Sequence, residues 1–257
     1  MANDSPVTNT RPTVRVGVFI PRKCQMLDAA TVDVLGTMDY EYMKMVEGIF
    51  PSSVVELAPS VKVRYIGTGP AGGPIPVTSG GKLVSTHRYS DPEVAPGELD
   101  IVIVPGPDPF EPIDRESLPW LAAHGAREDV DILSVCTGIF IVGEAGLLRG
   151  KVAAGPRDAQ DLIRAKDYGV KELVGDRYRW VQDGNLWSSG GVTNGNDMVA
   201  AYCQASPRFP DALVAIACAV TDVGDRPREY EQPSNIPKIS TENVGNILAS
   251  KTAGAKP

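Results

Sequence analysis

The sequence predicts a three-layer α/β/α sandwich built around a mostly parallel central sheet. Apolar runs at residues 13–20, 99–104 and 130–135 are dominated by Val, Ile, Leu and Phe. Such runs are too short for helices and are typical of parallel strands buried on both faces. Apolar residues at helical spacing follow the first and third runs. Because strands and helices alternate in this way, we expect helices to cover both faces of the sheet.

Length and composition restrict the classes of partner. The chain has 257 residues, enough for one large domain with a substantial core. It carries 25 basic and 32 acidic residues, for a net charge of −7, and shows no basic stripe, which argues against a nucleic-acid partner. No apolar run is long enough to span a membrane. The polar segment Met1–Pro6 does not resemble a signal peptide, so we expect a cytoplasmic protein.

The cysteines and the prolines complete this outline. Four cysteines occur without a Cys-x-x-Cys pair, which predicts neither a metal site nor a disulfide framework and fits a reducing compartment. We expect a disordered lead over residues 1–12, a single α/β domain over 13–223 and an extended tail over 224–257. Packing against a neighbouring subunit is one role open to the tail.

The third apolar run leads into the most informative turn of the sequence. A strand over Val130–Val135 is followed by helical spacing over Gly138–Leu148, which places Cys136 and Thr137 in a sharp strand-to-helix turn. Unpaired amides and the positive end of a helix dipole lower the pKa of a thiol there and favour the nucleophilic thiolate. The alternative is a buried structural cysteine, since free cysteine is among the most buried residue types.

Asp28 lies in the first turn of the helix predicted after the first strand. This helix is predicted from Leu27, with one apolar side formed by Val32, Leu35, Met38, Met45 and Val46. Asp28 either complements the helix dipole or delivers a carboxylate to the sheet edge where Cys136 lies. The residues alone leave these two interpretations nearly even. Asp39, farther along, is interpreted as a surface charge of the same helix.

Three blocks of sequence, taken together, resemble a known family. They are Ser134–Gly138 (Ser-Val-Cys-Thr-Gly) continuing through Gly143–Lys151, Gln25–Asp28, and Gln182–Leu186 with Gly190–Gly195. Over about residues 13–222 the chain resembles the ThiJ/PfpI superfamily, which is similar to class I glutamine amidotransferases, and within it the isocyanide hydratases and their fungal relatives. The resemblance implies a flavodoxin-like fold and a homodimer.

The resemblance also implies roles for individual residues. Cys136 would attack the carbon of an isocyanide, Asp28 would serve as general acid and base, and Thr137 would contribute its amide and hydroxyl. We expect Gly106 N–H to be a second oxyanion donor, although a merely rigid loop is nearly as good an explanation. The superfamily commonly has a second glycine in this loop, where this chain has Pro107, which has no N–H. Gly191 and Thr193 are expected to bind substrate, with Thr193 also capping the helix that follows.

The expected substrate is a small electrophile, with no cofactor and no metal. Many superfamily hydrolases and glyoxalases carry a histidine where this chain has Pro156. The only two histidines, His87 and His124, lie outside recognised catalytic segments, and His124 is expected to be a surface or core residue. Two alternatives therefore stay open beside the hydratase. One is a redox sensor with an oxidisable Cys136, and the other is glyoxalase-like activity on small dicarbonyls.

Overall fold

A computed structural model describes residues 11–232 of the chain. The strands are β1 Thr13–Phe19, β2 Ser60–Gly67, β3 Pro74–Pro76, β4 Lys82–Val84, β5 His87–Arg88, β6 Ile101–Val104, β7 Asp131–Ser134, β8 Val152–Ala153, β9 Glu172–Leu173, β10 Trp180–Asp183 and β11 Leu186–Ser189. The α-helices are α1 Met26–Ala29, α2 Val32–Gly36, α3 Tyr40–Met45, α4 Ser52–Val55, α5 Leu118–Gly125, α6 Gly138–Glu144, α7 Gln160–Arg164, α8 Thr193–Ala205 and α9 Asp211–Thr221.

Seven of these strands form the central sheet, in the order β10-β11-β7-β6-β1-β2-β5. Every neighbouring pair is parallel except the β10–β11 hairpin. The mostly parallel, flavodoxin-like α/β sheet predicted from the sequence is therefore confirmed. The three apolar runs became β1, β6 and β7, which are adjacent at the centre of the sheet.

The core consists of two main apolar clusters, one on each face of the sheet. In β6, Ile101 and Ile103 face the cluster that contains residues of α2, α8 and α9, whereas Val102 and Val104 face the cluster of α5 and α6. Because successive side chains of a strand point to opposite faces, a strand that is apolar throughout requires cover on both sides. This gives the three layers.

The long helix predicted from Leu27 is wrong, because the chain forms α1, α2 and α3 instead. Asp39 ends the run with extended backbone and begins α3 as its N-cap, accepting a hydrogen bond from Glu41 N–H. Its other carboxylate oxygen accepts from Val61 N–H at 2.7 Å, so Asp39 is not a surface charge of a continuous helix. The break also turns Met45 outward, where it is 77% exposed, although Val32, Leu35 and Met38 are buried as predicted.

The predicted lead and tail are described only in part. Residues 1–10 and 233–257 lie outside the described residues, so the boundaries at 13 and 223 stay predictions. At the amino-terminal edge, Arg11 pairs with Glu56. At the other edge, residues 224–232 pack against the chain's own domain. Within residues 11–232, no helix combines the length and the apolarity that a membrane crossing needs.

Candidate active site

Cys136 occupies the turn between β7 and α6, as the sequence predicts. Its backbone is left-handed, with φ of 57°, a conformation that costs a non-glycine residue about 1–2 kcal/mol. Residue 138, two positions after Cys136, must be glycine, because a Cβ on Gly138 would lie 2.1 Å from the carbonyl oxygen of Val104. Helix α6 thus starts in direct contact with β6, and the strained turn holds the Cys136 side chain at the sheet edge.

Asp28 is fully buried beside this turn and is held by a backbone clamp. Its Oδ2 accepts a hydrogen bond from Gly106 N–H at 3.0 Å, and Gln25 N–H donates to the Gly106 carbonyl at 2.9 Å. The loop after β1 is thereby tied to the loop after β6. A Cβ on Gly106 would lie 2.3 Å from Thr137 Oγ1 and 2.5 Å from Asp28 Oδ2, so only glycine fits between them.

Burial sets the protonation of the Asp28 carboxyl group. It raises the pKa of Asp28 to about 7, against the opposing effects of the Gly106 N–H and the Cys136 thiol. Within residues 11–232, Oδ1 of Asp28 has no hydrogen-bond partner. The Cys136 thiol is nevertheless near enough to lower the pKa of Asp28. Asp28 can therefore gain or lose a proton near neutral pH.

The expected low pKa of Cys136 is wrong for the free protein. Burial and then the charge of Asp28 raise the pKa of Cys136 to about 12, while the amides of Val192 and Thr137 act in the opposite direction. The prediction from the sequence considered only the helix-end amides, which lower the pKa. In the structure Cys136 is only 7% exposed and lies beside a carboxylate, and both features raise the pKa. The free pair therefore holds one proton on sulfur and one negative charge on Asp28 at pH well above 7.

The hydrogen-bond donors at the site differ from the predicted ones. The Gly106 N–H donates to Asp28 and so positions the carboxylate, and its expected role as an oxyanion donor stays a prediction. The Thr137 hydroxyl donates to the Pro107 carbonyl at 2.7 Å. The donors that reach the sulfur include the backbone amides of Thr137 and Val192.

Val192 was missed by the sequence reasoning. Its backbone, with φ of 19° and ψ of −78°, bends sharply to start α8, and the preceding Gly190–Gly191 pair is the signal that could have located this turn. Gly191 lines the cavity at Cys136, in line with its predicted place. Thr193 is exposed and is the first residue of α8 rather than its N-cap, so its predicted capping role is wrong. It does not line this cavity, and its predicted role in substrate binding stays a prediction.

Cys136 opens onto a cavity of about 820 Å³. The walls are largely apolar, with three aspartates among them. The lining residues are Gln25, Thr78, Pro107, Asp108, Pro109, Phe110, Cys136, Thr137, Pro156, Asp158, Ala159, Asp161, Leu162 and Gly191. No lysine, arginine or histidine from residues 11–232 is among them. A cavity of this size accommodates a drug-sized apolar molecule.

Comparison with known proteins identifies the family. The DJ-1/PfpI family model matches residues 34–205, about two thirds of the chain, including the Cys136 turn. The chain belongs to the DJ-1/PfpI family. It is also 30% identical, over 175 residues, to an isonitrile hydratase from Pseudomonas putida, an alignment covering 66% of this chain and 70% of that protein. Asp28 lies before the part matched by the family model.

Similarity to solved structures shows the fold but not the reaction. A THiJ/PfpI family protein from Pseudomonas syringae is similar with a TM-score of 0.63 at 18% identity, covering 99% of this chain and 93% of that one. An AraC family transcriptional regulator from Pseudomonas putida is similar with a TM-score of 0.59 at 16% identity, covering 81% and 99%. Because an enzyme and a regulator of transcription are both similar to this chain, function must be argued from the site.

The site departs from the DJ-1/PfpI members that use histidine. Pro156 lines the cavity at the place where they carry that residue. His124 is fully buried on α5, with Nδ1 2.9 Å from the Trp120 carbonyl, and burial lowers its pKa. His87 lies on β5, with Nδ1 2.9 Å from Thr86 Oγ1. Neither histidine lines the cavity, so the titratable partner next to the Cys136 sulfur is Asp28. Among residues 11–232, no cluster of His, Cys, Asp and Glu is suited to a metal ion.

Proposed function

We propose that this protein is a cysteine-dependent lyase that hydrates an isocyanide to an N-substituted formamide. The observation that carries the proposal is the pairing of Cys136 with the buried carboxyl of Asp28 at the base of a cavity that no histidine lines. The similarity to an isonitrile hydratase supports the same reaction.

The first half of the reaction needs one nucleophile and one proton. The Cys136 sulfur attacks the terminal carbon of R–N≡C while its proton passes to Asp28. Asp28 then delivers this proton to the carbon, and the product is a thioimidate, R–N=CH–S–Cys136. A carboxyl group with a pKa of about 7 suits both steps, since it accepts and releases a proton at little cost near neutral pH. The elevated pKa of the free thiol is no obstacle, because the acceptor of the proton lies beside it.

The second half consumes water and restores the thiol. Water adds to the thioimidate carbon and loses a proton to Asp28, which passes it to the nitrogen and gives R–NH–CH(OH)–S–Cys136. The C–S bond then breaks, releasing R–NH–CHO and the Cys136 thiol. The amides of Thr137 and Val192 are suited to stabilising negative charge on the departing sulfur. The cavity is large and mostly apolar, which favours a bulky apolar R group.

The test is direct. Purified protein is incubated with benzyl isocyanide, and the formyl proton of N-benzylformamide is followed by NMR. We expect turnover by the wild type and by Cys24→Ala, and a loss of at least about 10³-fold in Cys136→Ala. Absence of turnover by the wild type, or equal turnover by Cys136→Ala, would refute the proposal.

The two alternatives are less well supported by the geometry. A peroxide sensor reacts through its thiolate, and the raised pKa of Cys136 makes that form scarce. Glyoxalase-like chemistry benefits from a histidine at the sulfur, and neither histidine lines the cavity. Mild peroxide treatment followed by intact mass tests the sensor: selective addition of two oxygens at Cys136, without isocyanide turnover, would favour it.

A further inference from the structure

The described start of the tail, residues 224–232, forms a strap across the domain. It runs antiparallel to the segment that leads into β10. The Arg179 N–H donates to the Arg228 carbonyl at 2.8 Å, and the Tyr230 N–H donates to the Arg177 carbonyl at 2.9 Å. The strap is therefore held to the segment before β10 through main-chain hydrogen bonds, which do not depend on side-chain identity.

One aromatic side chain of the strap is held on both sides. The half-buried ring of Tyr230 lies 4.0 Å from the Arg157 guanidinium and 4.5 Å from that of Arg179. Its hydroxyl accepts a hydrogen bond from Asn194 Nδ2 at 2.9 Å. Arg157 also donates to the carbonyl of Gln232 at 2.8 Å. The ring is thus fixed by cation–π contacts while its hydroxyl reaches the first turn of α8.

A second side chain of the strap reaches the same helix turn. Arg226 donates to the Thr193 carbonyl at 2.8 Å and forms an ion pair with Asp197, which is 96% buried. The other oxygen of Asp197 accepts from Gly224 N–H at 3.1 Å. The start of α8 is therefore tied to the strap at three residues, Thr193, Asn194 and Asp197.

These ties converge on the turn that serves the sulfur. The Val192 amide is close enough to the Cys136 sulfur to lower its pKa, and the preceding Gly191 lines the same cavity as Cys136. The Tyr230 hydroxyl lies next to both ends of this turn, at Gly190 and at Asn194. Gly190 N–H donates to the Arg179 carbonyl at 2.8 Å, and a Cβ on Gly190 would lie 3.1 Å from the Tyr230 hydroxyl. The unusual backbone of Val192 persists only if its surroundings hold it.

We infer that Tyr230 is a positioning residue of the active site, which acts through Asn194 to hold the Val192 amide against the Cys136 sulfur. The inference rests on Cys136 being the nucleophile of the proposed function, but not on the substrate being an isocyanide. A hydrogen bond to an ionising sulfur is charge-assisted, so its strength depends on a fixed donor position. Loosening the turn weakens this bond most where the sulfur carries negative charge.

The test removes one hydroxyl group and leaves the rest of the strap in place. Tyr230→Phe keeps the ring between the two guanidinium groups but loses the hydrogen bond from Asn194. Tyr178→Phe is the matched control, since Tyr178 lies beside the strap and its hydroxyl has no hydrogen-bond partner within residues 11–232. Two readouts are taken for each variant: the rate of Cys136 alkylation by iodoacetamide between pH 7 and pH 10, and kcat and KM for benzyl isocyanide.

We expect Tyr230→Phe to displace the alkylation profile of Cys136 upward by about half a pH unit, and so to slow alkylation about 3-fold at each pH. Asp28, the charged group that acts on this sulfur, is unchanged, so the displacement reports on the amide. We also expect kcat to fall about 3- to 10-fold with little change in KM, whereas Tyr178→Phe behaves as the wild type.

The outcomes separate this inference from the proposed function. If no isocyanide is turned over by any variant but the alkylation profile moves only in Tyr230→Phe, the hydratase proposal fails and the positioning role stands. An alkylation profile identical in Tyr230→Phe and Tyr178→Phe, with unchanged Tm, would overturn the positioning role. Should Tyr230→Phe not fold, Asn194→Ala is measured instead, since it removes the donor to the Tyr230 hydroxyl from the other side of the same hydrogen bond. An unaltered alkylation profile in that variant would equally overturn the inference.

Discussion

Two thiols face the same buried carboxylate, and only one has the surroundings of a nucleophile. Burial and then the charge of Asp28 raise the pKa values of both Cys24 and Cys136 to about 12. Cys24 lies in a short bridge to Val77, is fully buried and does not line the large cavity. Cys136 has left-handed backbone, lines that cavity, and receives the amides of Thr137 and Val192.

The difference shows that proximity to Asp28 does not by itself distinguish the two cysteines. The two cysteines differ instead in their access to a substrate and in the fixed hydrogen-bond donors that can stabilise a charged sulfur. The amide donors and the access to the cavity belong to the Cys136 turn, whereas the Asp28 carboxylate acts on both thiols. Changes to Asp28 should therefore affect both thiols electrostatically but turnover through Cys136 alone.

The largest effect is expected from removing the shared carboxyl group. Asp28→Asn retains an acceptor for Gly106 N–H but cannot carry a proton to the isocyanide carbon, so we expect kcat/KM to fall by about 10²- to 10⁴-fold. Because the charge that raises the pKa of Cys136 is also lost, alkylation of Cys136 should become faster in the same variant. Opposite directions in the NMR turnover assay and in alkylation kinetics would separate lost proton transfer from a damaged thiol. A parallel decrease in both would contradict this explanation.

The same carboxyl group should make stability depend on pH. Asp28 has its pKa raised from 3.8 to about 7 in the folded protein, so the folded state binds its proton more tightly than the unfolded state. This contribution to stability is complete below about pH 4 and is lost as the pH rises through 7, by roughly 4 kcal/mol in total. Urea unfolding should therefore show a wild type that is less stable than Asp28→Asn at pH 8, with the difference closing towards pH 4. A difference independent of pH would argue against the raised pKa.

Alkylation should distinguish the two thiols directly. At pH 8.5 with limiting iodoacetamide, we expect Cys136 to be modified about 100-fold faster than Cys24, because modification of Cys24 requires the surrounding structure to open. Peptide mapping by mass spectrometry measures both sites in one sample. Comparable rates at the two positions would mean that the cavity does not give access to the Cys136 sulfur.

The smallest effect concerns the charge of the substrate. Three aspartates and no basic side chains from residues 11–232 line the cavity. We expect 4-isocyanobenzoate to react with about 5-fold lower kcat/KM than neutral phenyl isocyanide, and Asp158→Asn to narrow this ratio about 2-fold, less so in high salt. Asp176→Asn, an exposed change outside the cavity lining, is the control. A ratio unaffected by Asp158→Asn would remove this aspartate as a determinant of specificity.

Several features of the protein follow from local sequence alone. Continuous apolar runs identify the central strands, because a strand buried on both faces tolerates few polar side chains. The same pattern, followed by helical spacing, locates the Cys136 turn. The helix boundaries after β1 were harder to predict, because Asp39 can be either a surface charge or an N-cap. The hydrogen bond that Asp39 accepts from Val61 N–H, 22 positions along the chain, decides between the two.

The sequence by itself determined the layered α/β architecture, the Cys136 turn and the candidate pairing with Asp28, because each depends on periodicity or on short blocks. Only the tertiary structure decided how that pair is held and charged. The bond from Gly106 N–H to Asp28 spans 78 positions, and the Val192 amide and the Tyr230 contact come from later parts of the chain. The pKa of Cys136 rises rather than falls because desolvation depends on all the atoms packed around the sulfur, and local sequence does not specify them.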